Sequence, residues 1–318
     1  MASTKHLKLR NFDMTKINPE TGVLQILGYF ILIMGKRGSG KTSVALSFLH
    51  TLQHHVDYAI AISATSDMSK ALDGIIPASF IYNTGDTELL TRIMEVQKKV
   101  NKKMVLFIDD MAFDKKFLAS DEFKEIIFNG RWLNITVILT TQYSKAMPPT
   151  IRSNVDLCIT MRQNNVIVKK ALYEEFFAIV TTQDFDKILN QATKQFSALV
   201  FDNRVQAETL NEVFFWFRAD LDQIQPQHLS KLVRPAFWGL DAQARIQQRK
   251  PTSDRCDPVV IGHHVGAISI ADVDGKTLVG QTPTPEPAPT SRKRTPRTTL
   301  QAVEEEEPMS LSQMWASL

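Results

Sequence analysis

The chain has 318 residues, 43% hydrophobic and 22% charged, which excludes a largely disordered protein and suits one folded domain of about 200 residues with appendages. Its formal net charge of +3 is compatible with a polyanionic partner without requiring one. Its two cysteines, Cys158 and Cys256, form no CxxC pair and no Cys/His ligand spacing, so they read as ordinary reduced thiols of an intracellular protein.

In chain order, residues 1–22 form a short lead-in, and Lys5, Lys8 and Arg10 precede no apolar signal-type segment. The longest apolar stretch, VLQILGYFILIM from Val23 to Met34, is too short to span a membrane and runs into a glycine-rich turn. A soluble protein is expected. Tyr29 to Met34 reads as a first strand, and Ser43 to Gln53 has helical spacing. Tyr58 to Ser63 reads as a second strand, with a short one near Ser79 to Tyr82. Thr87 to Val100 places Leu89, Leu90, Ile93, Val96 and Val100 on one helical face. Met104–Asp109, Ile135–Thr141 and Val155–Met161 read as a third, fourth and fifth strand. Nearly continuous apolar strands alternating with helices predict an α/β fold with a parallel sheet covered on both faces.

Beyond Met161 the signal weakens. VIVKKALYEEFFAIV reads as a helix, FSALVFD as a strand, and VFFWFRA as a strand or buried segment. The folded domain is expected over residues 1–244. Residues 245–318 read as a mostly disordered tail: a proline-alternating linker (Thr282 to Thr290), a basic SRKR element, an acidic block at Glu304 to Glu307, and an apolar end, MSLSQMWASL.

The turn itself carries chemistry. Gly35, Gly40, Lys41 and Thr42 satisfy GxxxxGK[ST], preceded by an apolar strand and followed by a helix, the context that a phosphate-binding loop requires. Glycines let the backbone wrap a phosphate, and successive N–H groups then form an anion nest at a helix N-terminus. The whole run Gly35, Lys36, Arg37, Gly38, Ser39, Gly40, Lys41, Thr42, Ser43 is assigned to the nucleotide, with Lys41 on the β- and γ-phosphates and the Thr42 hydroxyl on Mg²⁺.

A metal–triphosphate needs an acid on a neighbouring strand, and MVLFIDD supplies two at a strand end. Asp109 is assigned to Mg²⁺, directly or through water, and Asp110 to polarising the attacking water. That second acid separates an ATP hydrolase from a small-molecule kinase, and no N/T-K-x-D guanine element is found in a plausible place. Gln142, which ends the fourth strand, is a candidate for orienting the water near the γ-phosphate. Arg131, beside the turn glycine Gly130, is a candidate for stabilising transition-state charge on a neighbouring subunit's nucleotide.

GKRGSGKT, MVLFIDD, GRWLNITVILTTQ and MPPTIRSNVDLCITMR, in that order and spacing, resemble the genome-packaging ATPases of nucleocytoplasmic large DNA viruses, the poxvirus-type motors of the FtsK–HerA group. The resemblance covers about residues 8 to 240, VFFWFRA included. It implies a RecA-like P-loop fold with central strand order 5-1-4-3-2, and ATP with Mg²⁺ as the fuel. It further implies a ring-shaped homo-oligomer of five or six subunits that pumps double-stranded viral DNA into preformed capsids. Roles carry over to Lys41, Thr42, Asp109, Asp110, Gln142 and Arg131; Arg152 matches a family position without an assigned role. These motors often have Asp-Glu where this chain has Asp109-Asp110, one methylene shorter.

The implied partners are duplex DNA, capsid or inner-membrane virion proteins, and further copies of the chain. Lys98, Lys99, Lys102, Lys103, Lys115, Lys116 and Lys145 are candidates for sequence-independent phosphate contacts. The expected location is a viral assembly site in the host cytoplasm or the virion, with the Arg292-Lys293-Arg294 run leaving nuclear import open. The apolar C-terminus with Trp315 reads as a docking peptide. Two other readings stay open from the residues alone: a P-loop nucleotide kinase or other soluble NTPase without a DNA partner, and a non-enzymatic virion assembly protein.

Overall fold

Five apolar runs become the parallel heart of one sheet. A computed structural model describes residues 7–72, 74–111, 114–206, 208–224 and 232; the expected domain boundary near 245, the tail with its linker, basic run and C-terminal peptide, and Cys256 lie outside the described residues. The strands are β1 (Arg10–Asn11), β2 (Phe30–Met34), β3 (Tyr58–Ser63), β4 (Ile81–Tyr82), β5 (Met104–Asp109), β6 (Ile135–Thr141), β7 (Leu157–Thr160), β8 (Ala198–Asp202) and β9 (Phe214–Phe217). The helices are α1 (Lys41–Leu52), α2 (Ser66–Leu72), α3 (Thr87–Val100), α4 (Lys115–Ala119), α5 (Asp121–Asn129), α6 (Pro149–Arg152), α7 (Val166–Leu172) and α8 (Thr182–Ala192).

The sheet runs β1-β9-β8-β7-β2-β6-β5-β3-β4. Its centre, β7-β2-β6-β5-β3, is parallel throughout and is the expected 5-1-4-3-2 order. Every residue of β2, β3, β5, β6 and β7 is buried. A strand buried on both faces has no polar side to show, which is why these runs read as continuous rather than alternating. No helix among the described residues is long and apolar enough to cross a membrane.

Most helix ends follow local chemistry. Asp86 caps α3 by accepting from the Glu88 N–H, and Asn101 ends it in a left-handed conformation. Ser120 caps α5 and Thr181 caps α8 through their hydroxyls. α3 and α5 are bridged by Lys98 and Glu125 at 2.9 Å. Phe48 of α1 packs edge-on against Phe217 of β9 at 6.0 Å, and Phe185 of α8 joins Phe177, Phe201 and Phe214 in one aromatic cluster.

The weaker second half departs from expectation in two places. The helix expected from Val166 onward holds only to Leu172, and a π-helical turn, Tyr173–Phe177, follows. The strand expected from Phe196 starts at Ala198, because Gln195 and Phe196 both have positive φ (50° and 60°) and cannot extend. VFFWFRA resolves into β9. β8 is antiparallel to β7, and β9 to β8, so the sheet reverses direction at its far side.

Candidate functional site

The registers bring the chemistry to one edge. Met34 lies opposite Thr141 and Thr160, while Asp109 lies opposite Ser63 on one side and Thr140 on the other. The carboxyl ends of β2, β3, β5 and β6 are therefore level, and the loop leaving β2 opens where Asp109 ends β5.

That loop is shaped by its glycines. A Cβ on Gly35 would stand 2.5 Å from Ser39 Oγ and 2.7 Å from Met161 Cγ, so no side chain fits. Gly40, the N-cap of α1, has φ 97° and makes no side-chain cap. The first N–H groups of α1 thus lack the side-chain partner that α3, α4, α5, α7 and α8 have, and they point to where an anion would sit. Ser39 Oγ donates to the Lys36 carbonyl at 2.7 Å, and Lys41 Nζ donates to the Gly35 carbonyl at 2.9 Å, folding the lysine back over the loop. Burial lowers the Lys41 pKa from the usual lysine range, and the charges of Asp110 and Asp109 oppose that shift.

Asp109 is buried and tightly held. Its Oδ1 accepts from Thr140 Oγ1 at 2.6 Å, and its Oδ2 accepts from Thr65 Oγ1 at 3.0 Å and Ser63 Oγ at 3.2 Å. Three hydroxyl bonds occupy most of a carboxylate's acceptor positions. The donor set of a fixed Asp109, the Thr42 hydroxyl and adjacent room for phosphate oxygens fits Mg²⁺, which keeps several waters and takes few protein ligands.

Asp110 leaves the strand with φ 48°, a conformation that aspartate tolerates better than most side chains. Its N–H bonds Thr140 O and Thr140 Oγ1, both at 3.1 Å. Its Oδ2 accepts from Gln142 Nε2 at 2.6 Å. The two groups expected to act on one water are thus hydrogen-bonded partners, although 32 residues separate them in the chain.

These residues line one cleft of about 740 Å³, with Lys36, Arg37, Gly38, Gly40, Lys41, Thr42 and Ser43 as its floor and Asp109, Asp110 and Gln142 as one wall. Thr65, Asp67 and Met68 continue that wall, and Phe196, Arg218, Ala219 and Leu221 line the cleft too. Sequence reading missed Ser63, Thr65, Thr140, Phe196 and Arg218. A trace of the first three was legible as hydroxyl residues at the ends of apolar strands. Phe196 and Arg218 lie far along the chain, in its weakest-patterned half.

Arg131 is the expected site residue that the structure does not bring to the cleft. It precedes β6 and therefore sits at the edge where the parallel strands begin, opposite the loop. Its Nη2 donates to Asp156 Oδ1 at 2.6 Å, and its guanidinium lies 4.5 Å from the centre of the Tyr29 ring. Asp156 in turn accepts from the Phe30 N–H at 2.8 Å, and burial raises its pKa against these bonds. Arg204 lies 4.7 Å from the centre of the same ring. A role on a neighbour's nucleotide would require Arg131 to leave this cluster. Arg152 has a visible structural role: it donates to the Met147 carbonyl and approaches Glu175 Oε2 at 3.4 Å, tying the loop after β6 to the π-helical turn.

The family model described as Poxvirus A32 protein matches residues 23–209 of this chain. Protein 075L of Invertebrate iridescent virus 6 is 28% identical over 232 residues, covering 70% of this chain and 90% of that protein. Protein L437 of Acanthamoeba polyphaga mimivirus is 27% identical over 228 residues, covering 67% of this chain and 77% of that one. Among solved structures, the DNA-packaging ATPase B204 of Sulfolobus Turreted Icosahedral Virus is 17% identical with a TM-score of 0.47, covering 61% of this chain and 98% of its own. The pCW3 conjugation coupling protein TcpA is also 17% identical at 0.47, covering 71% and 74%.

Proposed function

We propose, from the premise that this chain belongs to the Poxvirus A32 protein family, that it is an ATP-hydrolysing motor that translocates double-stranded viral DNA into preformed capsids. The observation that carries the reading is the convergence of Lys41, Asp109 and the Asp110–Gln142 pair on one cleft at the carboxyl edge of the sheet. A nucleoside triphosphate lies with its phosphates over the loop, held by the free N–H groups of α1 and by Lys41. On binding, the γ-phosphate replaces the Gly35 carbonyl as the partner of Lys41 Nζ. Thr42 and Asp109 would hold Mg²⁺, which would neutralise charge on the phosphates.

Asp110 and Gln142 then act on the attacking water. Asp110 accepts a hydrogen bond from it and Gln142 fixes its direction, so that its oxygen meets phosphorus in line with the bond to the β-phosphate oxygen. That bond breaks, ADP leaves with the electron pair, and the proton of the water passes to Asp110 or to the released phosphate. Because Gln142 is tied to Asp110 and directly follows β6, loss of the γ-phosphate changes its partners, and the loop through Met147 to Arg152 is placed to carry that change outward.

Coupling to DNA requires a ring, in which each subunit's change moves a phosphate-contacting surface. The candidate phosphate contacts include Lys145, which lies in the turn that follows β6; Lys98 is engaged with Glu125. Assembly sites in the host cytoplasm are the proposed location. The test is steady-state ATPase activity of the purified full chain across duplex-DNA concentrations and lengths. Stimulation that rises with duplex length and falls with salt is expected; hydrolysis indifferent to DNA would overturn the motor reading and leave a soluble NTPase.

A further inference from the structure

The cleft is lined by residues that its phosphate chemistry does not use, and its two sides differ in kind. The acids and Gln142 belong to β5 and β6, on one side of the loop strand β2. On the other side of β2 the sheet continues through β7 to β8 and β9. β8 is antiparallel to β7, with Leu199 opposite Thr160, and β9 is antiparallel to β8, with Phe217 opposite Ala198. The start of β8 and the end of β9 therefore lie at the same edge as the phosphate loop. Phe196 stands two residues before β8, and Arg218 directly follows β9.

Phe196 is held in an uncommon way. It is 75% exposed, yet it lines the cleft. Its φ is 60°, and that of Gln195 before it is 50°. Two successive side-chain-bearing residues in the left-handed region cost stability, most of all for a bulky one. Here the strain buys no burial; it turns an aromatic ring out of the core and into the cleft. Arg218 Nη1 approaches Gln195 Oε1 at 3.4 Å, which ties the end of β9 to the same turn. Strain that persists at a ligand-facing residue points to a function for that residue.

Resting on the nucleotide-site reading above, we propose that Phe196 is the stacking face for the base of the bound triphosphate, with Arg218 fixing the turn that presents it. The triphosphate then lies across β2, with its γ-phosphate toward Asp110 and Gln142 and its base toward β8 and β9. Every nucleobase offers a π-face, so the contact supplies affinity without depending on one hydrogen-bonding edge.

Equilibrium binding of ATP and of inorganic tripolyphosphate, both with Mg²⁺, to full-length wild type, Phe196→Ala and Phe196→Trp tests this. Tripolyphosphate has the phosphates and no base. Phe196→Ala is expected to weaken ATP about tenfold and to leave tripolyphosphate unchanged; Phe196→Trp is expected to retain ATP within about threefold. Because Phe196 is exposed, unchanged tripolyphosphate binding also certifies the fold of the variant. Phe196→Ala binding ATP like wild type, or losing both ligands equally, overturns the stacking role. Wild type that binds neither ligand overturns the nucleotide site itself, and the stacking role with it.

Discussion

The two edges of the parallel sheet carry similar charges and treat them differently. At the edge where the strands begin, Arg131 and Arg204 flank Tyr29, and their carboxylates, Asp156 and Asp202, are within 2.6 Å. Each of these two arginines has an anion and an aromatic face. At the edge where the strands end, Lys41 has a carbonyl oxygen as its partner, Arg218 reaches only an amide oxygen among the described residues, and the N-terminus of α1 has no side-chain cap. Positive φ occurs at both edges, but at the first it falls on asparagines, Asn101 and Asn134, which tolerate it, whereas here it includes a bulky residue, Phe196, beside Gln195 and Asp110. The contrast teaches that charge alone does not mark a site. Charge satisfied within the chain holds a fold together; charge and N–H groups without such partners are where a ligand can supply them.

Substitutions at the two edges sharpen or break that contrast. The largest effect belongs to Asp110→Asn, which keeps the size of the side chain and removes the acceptor of the water's proton. It should lower kcat by about 10² to 10⁴ while ATP affinity moves only a few-fold. Near-normal turnover in a single-turnover assay would move the base to another group and leave Asp110 as a tether for Gln142.

Thr140→Val comes next. It removes the hydroxyl that donates to Asp109 and accepts from the Asp110 N–H, on a buried strand. A loss of about 1–3 kcal/mol in unfolding free energy is expected from the unsatisfied partners, with a fall in kcat. Denaturant unfolding checks the first and steady-state assays the second. A stability change without a kinetic one would mean that the hydroxyl braces the strand and not the metal-side acid.

The smallest effect is expected from Arg131→Ala. Its side chain is 57% exposed, so the ion pair and ring contact together amount to about 1 kcal/mol. Thermal unfolding should shift down by a few degrees, with ATP hydrolysis unaltered. The opposite outcome, normal stability with hydrolysis lost in the assembled protein, would restore Arg131 to a neighbour's transition state and blur the distinction between the edges.

Much of the first half was legible because each signal is local. The five central strands are apolar runs, the loop is a fixed spacing of glycines before lysine and threonine, and Asp109 sits where an apolar strand must end. Arg131's position before a strand was legible, but its place at the edge opposite the loop depends on strand direction, and its partner Asp156 is 25 residues away. The continuous helix expected from Val166 missed the π-helical turn because periodicity does not register one extra residue in a turn.

What the chain determines by itself is the set of elements and the phosphate cradle, since apolar continuity, glycine spacing and cap residues act between neighbours in sequence. Tertiary structure alone decided that Asp110 meets Gln142, that hydroxyls from the two flanking strands and from the turn after β3 hold Asp109, and that a reversed pair of strands turns Phe196 toward the cleft. Those contacts join residues that strand register and direction bring together, and register is set by the packing of the whole sheet, not by any one segment of it.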